Sequence, residues 1–169
     1  MKWSKLSPLA GAILVAVLFL VVGTFSRDGS AQVNSVRFGT WKLNVAKSTY
    51  SPGPPPKSQT RREEPSGNGL KSTFDGVAGD GSRIAYSFTA QYDGKDYPET
   101  GVGTPNGADT IALKRIDDYT YEATLKRAGK VVLTTRNVIS KDGKVMTITS
   151  KGTNQAGQAT NNVTVYEKQ

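Results

Sequence analysis

The stretch "IAYSFTAQYDG" (Ile84–Gly94) decides the fold class. Ile84, Tyr86, Phe88, Ala90 and Tyr92 share one face of an extended chain, and Ala85, Ser87, Thr89 and Gln91 share the other. Successive side chains of a strand point to opposite faces, so this alternation marks a strand with one face buried. Asp93-Gly94 ends the run with residues that tolerate the positive φ of a tight turn. The same syntax recurs along the chain. Tyr119, Tyr121, Ala123 and Leu125 oppose Thr120, Glu122, Thr124 and Lys126, and Met146 and Ile148 oppose Val145, Thr147 and Thr149. Asp80-Gly81, Asn106-Gly107, Asp117-Asp118, Ala128-Gly129 and Asp142-Gly143 punctuate the runs. Beyond the N-terminal apolar run, no stretch has an apolar period of 3.6 long enough for a helix.

Strands are therefore expected at about Phe38–Val45, Ser58–Glu64, Leu70–Val77, Ser82–Tyr92, Thr110–Ile116, Tyr119–Arg127, Lys130–Ser140, Lys144–Lys151 and Thr160–Lys168. A short one is expected near Lys95–Tyr97, and Asp96–Ala108, rich in Gly and Pro, reads as a long loop. Many short strands joined by hairpins form an antiparallel up-and-down meander. Nine or ten strands in such a meander close into a barrel, because closure removes exposed edges.

The first residues follow a different logic. Lys2 and Lys5 precede an apolar run at Leu9–Val22, and Gly29-Ser30-Ala31 supplies small residues for cleavage. This is the pattern of a secretory signal peptide at 1–31, leaving a single domain at 32–169. The apolar run is short for a membrane span, so none is expected after cleavage. The formal net charge is +8, of which the domain keeps +6. The chain has no Cys, which excludes disulfides and suits a bacterial periplasm or exterior. Basic residues alternate with acidic ones, as on a solvated surface. The aromatic residues share faces with core positions, and export removes the chain from nucleic acid, so no nucleic-acid partner is expected.

The absences limit the chemistry. Without His or Cys the chain lacks the commonest general base, the commonest zinc ligands and any thiol nucleophile. No phosphate-binding loop and no dinucleotide fingerprint occurs. Asp93, Asp96 and Glu99 lie close in sequence and could serve acid–base work or hold Ca²⁺. Their spacing fits no Ca²⁺ loop, and turn residues are the preferred reading. No metal, no cofactor and no catalytic residue is expected. The run "SQTRREE" (Ser58–Glu64) has no apolar residue on either face. It reads first as a solvated edge strand whose charges block edge pairing. The alternative is that one face lines a wet cavity, with Arg61 or Arg62 inside and Glu63, Glu64 or an anionic ligand as the acceptor.

"FGTWKL" (Phe38–Leu43) resembles the first strand of the calycins, the superfamily of lipocalins and fatty-acid-binding proteins, with Gly39 and Trp41 as structural residues at the closed end of a barrel. "NVTVYEK" (Asn162–Lys168) is similar to the closing strand of the fatty-acid-binding proteins, and Lys126–Gly152 to their late hairpins. The resemblance implies a ligand-facing Arg, which falls on Arg136, joined by Tyr166 on the final strand. Thr164 stands where that family carries a second Arg. Asn44–Pro56, with four prolines, stands where it carries a helical lid, and the prolines predict no helix there. The chain also resembles a group of exported bacterial proteins sharing "GTWKLN", "YDGKDYP" and "ALKRID", with which no activity is associated.

Taken together, these readings imply an exported, non-catalytic protein that binds a small apolar or amphipathic ligand in a lipocalin-like barrel. Arg136, Tyr166 and Arg62 would meet its polar head, and Tyr86, Phe88, Tyr121 and Leu125 would line the interior. The alternative is an envelope interaction module whose barrel is filled by side chains and whose loops, mainly Asp96–Ala108, contact a protein or polymer.

Overall fold

A computed structural model describes residues 35–169 together with Met1. The expected signal peptide and its cleavage site lie outside the described residues. Ten strands follow in order: β1 (Gly39–Leu43), β2 (Ser58–Ser66), β3 (Gly69–Val77), β4 (Arg83–Gln91), β5 (Tyr97–Val102), β6 (Thr110–Arg115), β7 (Thr120–Arg127), β8 (Lys130–Ile139), β9 (Val145–Thr153) and β10 (Ala159–Lys168). Each pairs antiparallel with its sequence neighbours, and β1 also pairs with β10, so the meander is a closed barrel. Closure runs through Trp41 opposite Lys168 and Leu43 opposite Tyr166. Every strand therefore has a partner on both sides, and no edge is left to recruit another chain.

Local chemistry sets the turns. Between β7 and β8, Ala128 (φ 50) and Gly129 (φ 76) take two successive left-handed positions, as a two-residue hairpin of matching twist requires. Gly67 and Asn68 make another two-residue link, which places Ser66 opposite Gly69 and Arg61 opposite Phe74. From Asn44 to Lys57 the chain makes one short 3-10 turn at Val45–Lys47, bridges to β10 through Thr49 and Val163, and is otherwise irregular. No lid helix occurs there, in keeping with its prolines. Among the described residues, no helix is long and apolar enough to cross a membrane.

Two expectations need correction. The segment read as a loop at Asp96–Ala108 contains a full strand, β5: the short strand expected near Lys95–Tyr97 begins at Tyr97 and runs on to Val102. Pro98 and Gly101 conceal β5, because both residues are poor strand formers. Gly101 (φ 123) lies so close to β4 that a Cβ there would stand 2.2 Å from the Ala85 carbonyl oxygen. Pairing between β5 and β6 is correspondingly short, limited to Tyr97 with Ile111 and Pro98 with Thr110. The second correction concerns β2. It is no edge strand: it lies between β1 and β3, with Arg61 and Glu63 buried and Arg62 exposed.

The core divides into two parts. A large cluster includes Leu70, Phe74, Tyr86, Phe88, Ile111, Leu113 and Leu125. A smaller one gathers Trp41, Leu43, Ile139, Met146 and Tyr166 around the seam where the barrel closes. Trp41 is fully buried, and its indole N–H donates to the Arg37 carbonyl at 2.8 Å. Gly39 (φ 127) lets the chain enter β1, where a Cβ would press on the Lys168 side chain at 3.1 Å. Trp41→Ala is expected to cost about 3–5 kcal/mol, as large aromatic truncations in cores do. Denaturant unfolding checks this, and a variant as stable as the parent would remove Trp41 from the closing seam's energetics.

Candidate functional site

The barrel is filled at one end and hollow toward the other. The filled part is organised by charge. Glu63, 1% exposed, sits between two guanidinium groups. Arg61 Nη2 donates to Glu63 Oε1 and, at 3.1 Å, to the Tyr121 hydroxyl. Arg37 Nη1 lies 3.8 Å from Glu63 Oε2. Ser72 Oγ adds a longer contact to Glu63 Oε1 at 3.4 Å. The guanidinium faces are also covered: Arg37 lies 4.1 Å above the Tyr121 ring centroid, and Arg61 4.9 Å from that of Phe74. Burial by itself would lower the pKa of Arg61, but the adjacent Glu63 and Tyr121 overturn that and raise it, so the guanidinium stays charged.

The hollow part is a cavity of about 250 Å³. That is room for about eight waters at ~30 Å³ each, and it falls just below the usual range for drug-sized ligands. Its walls are mixed. Phe74, Ile84, Phe88, Ile111, Leu125, Leu133 and Ile148 supply apolar surface. Tyr86, Tyr121, Tyr166, Thr135, Asn137, Ser150 and Thr164 supply hydroxyl and amide groups. Tyr50 and Pro56 from the proline-rich link, with Gly103, Pro105 and Asn106 from the β5–β6 link, form the rim. Asn106 is pinned there by donating to the Val132 carbonyl at 3.1 Å.

Two lining residues carry formal charge: Arg61 and Glu99. Both are incompletely satisfied. Arg61 Nε and Glu99 Oε2 are buried atoms without a hydrogen-bond partner. They stand on adjacent rows of the barrel. One row runs Glu63, Ser72, Phe88, Glu99 across β2 to β5, and the next runs Arg61, Phe74, Tyr86, Gly101. Burial first, and then the nearby Asp109 carboxylate, push the Glu99 carboxyl up to about 7. Among the described residues, no cation stands within salt-bridge distance to reverse this.

Of the residues singled out in the sequence, Tyr166, Tyr86, Phe88, Tyr121 and Leu125 line this cavity. Arg136 and Arg62 do not. Thr135 and Asn137 face the lumen, so Arg136 between them must point outward, where its Nη1 donates to Glu122 Oε1 at 2.8 Å on the surface. Arg62 likewise stands outside and pairs with Glu64 at 3.1 Å. The lumen arginine is Arg61. A readable signal existed for it: the two-residue Gly67-Asn68 turn sets Arg61 opposite Phe74, an inward-facing aromatic. The three carboxylates close in sequence separate in space. Asp93 accepts from the Tyr97 hydroxyl at 2.9 Å, Asp96 pairs with Lys126 at 2.7 Å, and only Glu99 enters the cavity. Among the described residues, no group of three or more His, Cys, Asp or Glu could hold a metal ion.

No family model and no curated protein matches the chain. Among solved structures it is similar to the zebrafish ileal bile acid-binding protein complexed with cholic acid, at 14% identity and a TM-score of 0.48, over 80% of this chain and 100% of that one. The topology stands on its own: ten antiparallel strands in sequence order, closed first to last, form an up-and-down β-barrel.

Glu99 also predicts a pH signature. Its folded pKa, about 7, lies above the ordinary carboxyl value of 4.5. The folded state therefore holds a proton that the unfolded chain has lost between those values. Stability from this group is full below the lower value and declines as pH rises through the higher one, by roughly 3 kcal/mol. No histidine competes in that window. Denaturant unfolding between pH 5 and 8 should show the decline in the parent and a flatter profile in Glu99→Gln. Equal slopes in the two proteins would take Glu99 out of the account.

Proposed function

We propose that this barrel binds a small amphipathic molecule with an anionic head, and that Arg61 receives the head inside the cavity. The observation that carries the reading is the unbalanced charge at the filled end. Arg37 and Arg61 are buried with one carboxylate, Glu63, between them, and Arg61 keeps an unused Nε–H. A buried cation without a full complement of acceptors is costly, and an anion supplies the missing one. The apolar body would rest on Phe74, Phe88 and Leu125, and the Tyr121 and Tyr166 rings would frame the head beside Arg61. The volume favours a ligand somewhat below drug size.

The reading is one of binding rather than catalysis. The chain has neither His nor Cys to supply a general base or a nucleophile, and its loop carboxylates do not converge. The basic start, apolar run and small-residue triplet at the N-terminus support export to a periplasm or exterior, with the barrel as the mature form. N-terminal sequencing of the protein from its native source should begin at Gln32; a start at Met1 would instead mark a retained leader.

Binding is tested with an anionic fluorescent amphiphile, anilinonaphthalene sulfonate, beside its uncharged analogue phenylnaphthylamine. Arg61→Gln is expected to weaken the anionic probe about 10-fold or more, the worth of a charge-assisted hydrogen bond, and to leave the neutral probe little changed. Arg61→Lys should restore part of the loss. Circular dichroism and the unfolding midpoint establish that the variants keep the barrel. Equal affinity of folded Arg61→Gln for the anionic probe would overturn the assignment.

A further inference from the structure

The cavity has a second pole that an anionic head leaves untouched. Glu99 is a buried carboxylate whose Oε2 has no hydrogen-bond partner, and it lines the same cavity as Arg61. Its surroundings make it worse off, not better. On β5 it stands opposite Phe88 of β4, its own backbone N–H donates to the Asp109 carbonyl, and the Asp109 carboxylate is near enough to repel it. Toward the lumen lie Ile111 on β6, Tyr86 on β4 and, beyond, Arg61. Of these only Arg61 is cationic, and its Nη2 is engaged by Glu63 and Tyr121. The Tyr86 hydroxyl, on the Arg61 row, is subject to both the Glu99 and Arg61 charges.

We infer that the ligand is bipolar: besides the anionic head at Arg61 it carries an amine, whose ammonium group pairs with Glu99 Oε2, three strands away on the adjacent row of the cavity wall. The inference rests on the binding reading above and names the ligand class as a small amino acid-type molecule with an apolar body between its two charges. An ammonium meets each unmet requirement of this corner. It donates hydrogen bonds to the unpartnered oxygen, it neutralises a carboxylate that has no cation, and it offsets the repulsion from Asp109. A plain fatty acid meets none of them and would leave Glu99 as it is. The opposite signs at the two poles also orient the ligand, since the reversed pose sets like charges together.

The test is calorimetric titration of the full chain at pH 8, where Glu99 is mainly ionised, with octanoate, omega-amino-octanoate and octylamine. The expected result is that omega-amino-octanoate binds about 10-fold or more tightly than octanoate, and that Glu99→Gln removes this preference while retaining octanoate binding. Arg61→Gln should weaken both acids and spare octylamine. Equal or tighter binding of octanoate by the parent protein overturns the inference and leaves the anionic-head reading standing. Should neither acid bind, the Arg61 reading fails. Octylamine then decides the Glu99 site alone: binding lost in Glu99→Gln supports it, and absence of binding overturns it.

Discussion

One carboxylate, Glu63, allows the interior of this barrel to contain arginine at all. Two guanidinium groups, Arg37 and Arg61, are buried on either side of it. Removing such charges from water costs several kcal/mol each, and only a partner with good geometry offsets that cost. Glu63 serves both cations, while the Tyr121 hydroxyl and the aromatic faces of Tyr121 and Phe74 serve what remains. The arrangement also links the two ends of the molecule. Arg37 precedes β1 and holds the Trp41 indole through its carbonyl, and Arg61 faces the cavity. The closing seam, the charged plug and the floor of the cavity therefore share residues, so that the packing which closes the barrel also places its lumen cation.

This overlap explains why the interior is only partly filled. The large side chains of the seam, Trp41, Met146 and Tyr166, pack together, and the charge cluster occupies the lumen beside them. Past it, the inward rows carry smaller groups, among them Ala123, Thr135, Ser150 and Thr164. Barrels of this size can be packed solid by side chains or can hold one small ligand, and here the run of small inward residues leaves space. The space is neither greasy nor wet throughout. One wall is aromatic and aliphatic, another is hydroxyl and amide, and two opposite charges stand on adjacent rows.

Much of the architecture was legible because it depends on local chemistry. Alternation in Ile84–Tyr92 and Tyr119–Leu125 reports which face is buried, and turn pairs such as Ala128-Gly129 report where the chain reverses. The misplaced strand, β5, has Gly101 where its backbone runs very close to β4, and that reason is invisible without the neighbouring strand. Likewise β2 has no apolar pattern to read. Its inward residues are charged, and a charged inward face cannot be told from a charged outward face until its partners are known.

What the sequence determined by itself was most of the strands, their order and the exclusion of histidine and cysteine chemistry, because periodicity, turn propensity and composition are properties of neighbouring residues. Only the tertiary structure decided that Arg136 stays outside the lumen and that Arg61 meets Glu63 within it. Arg136 lies one residue from Thr135 and Asn137, and Arg61 one residue from Arg62; a single step along a strand exchanges the inside of the barrel for the outside. That step is set by the register between strands, which the Gly67-Asn68 turn fixes locally for β2 and β3 and which at the closing seam depends on residues far apart in the chain. The same contacts bring Glu99 beside Asp109 and Arg61 beside Glu63, and so determine which charges are met and which await a partner.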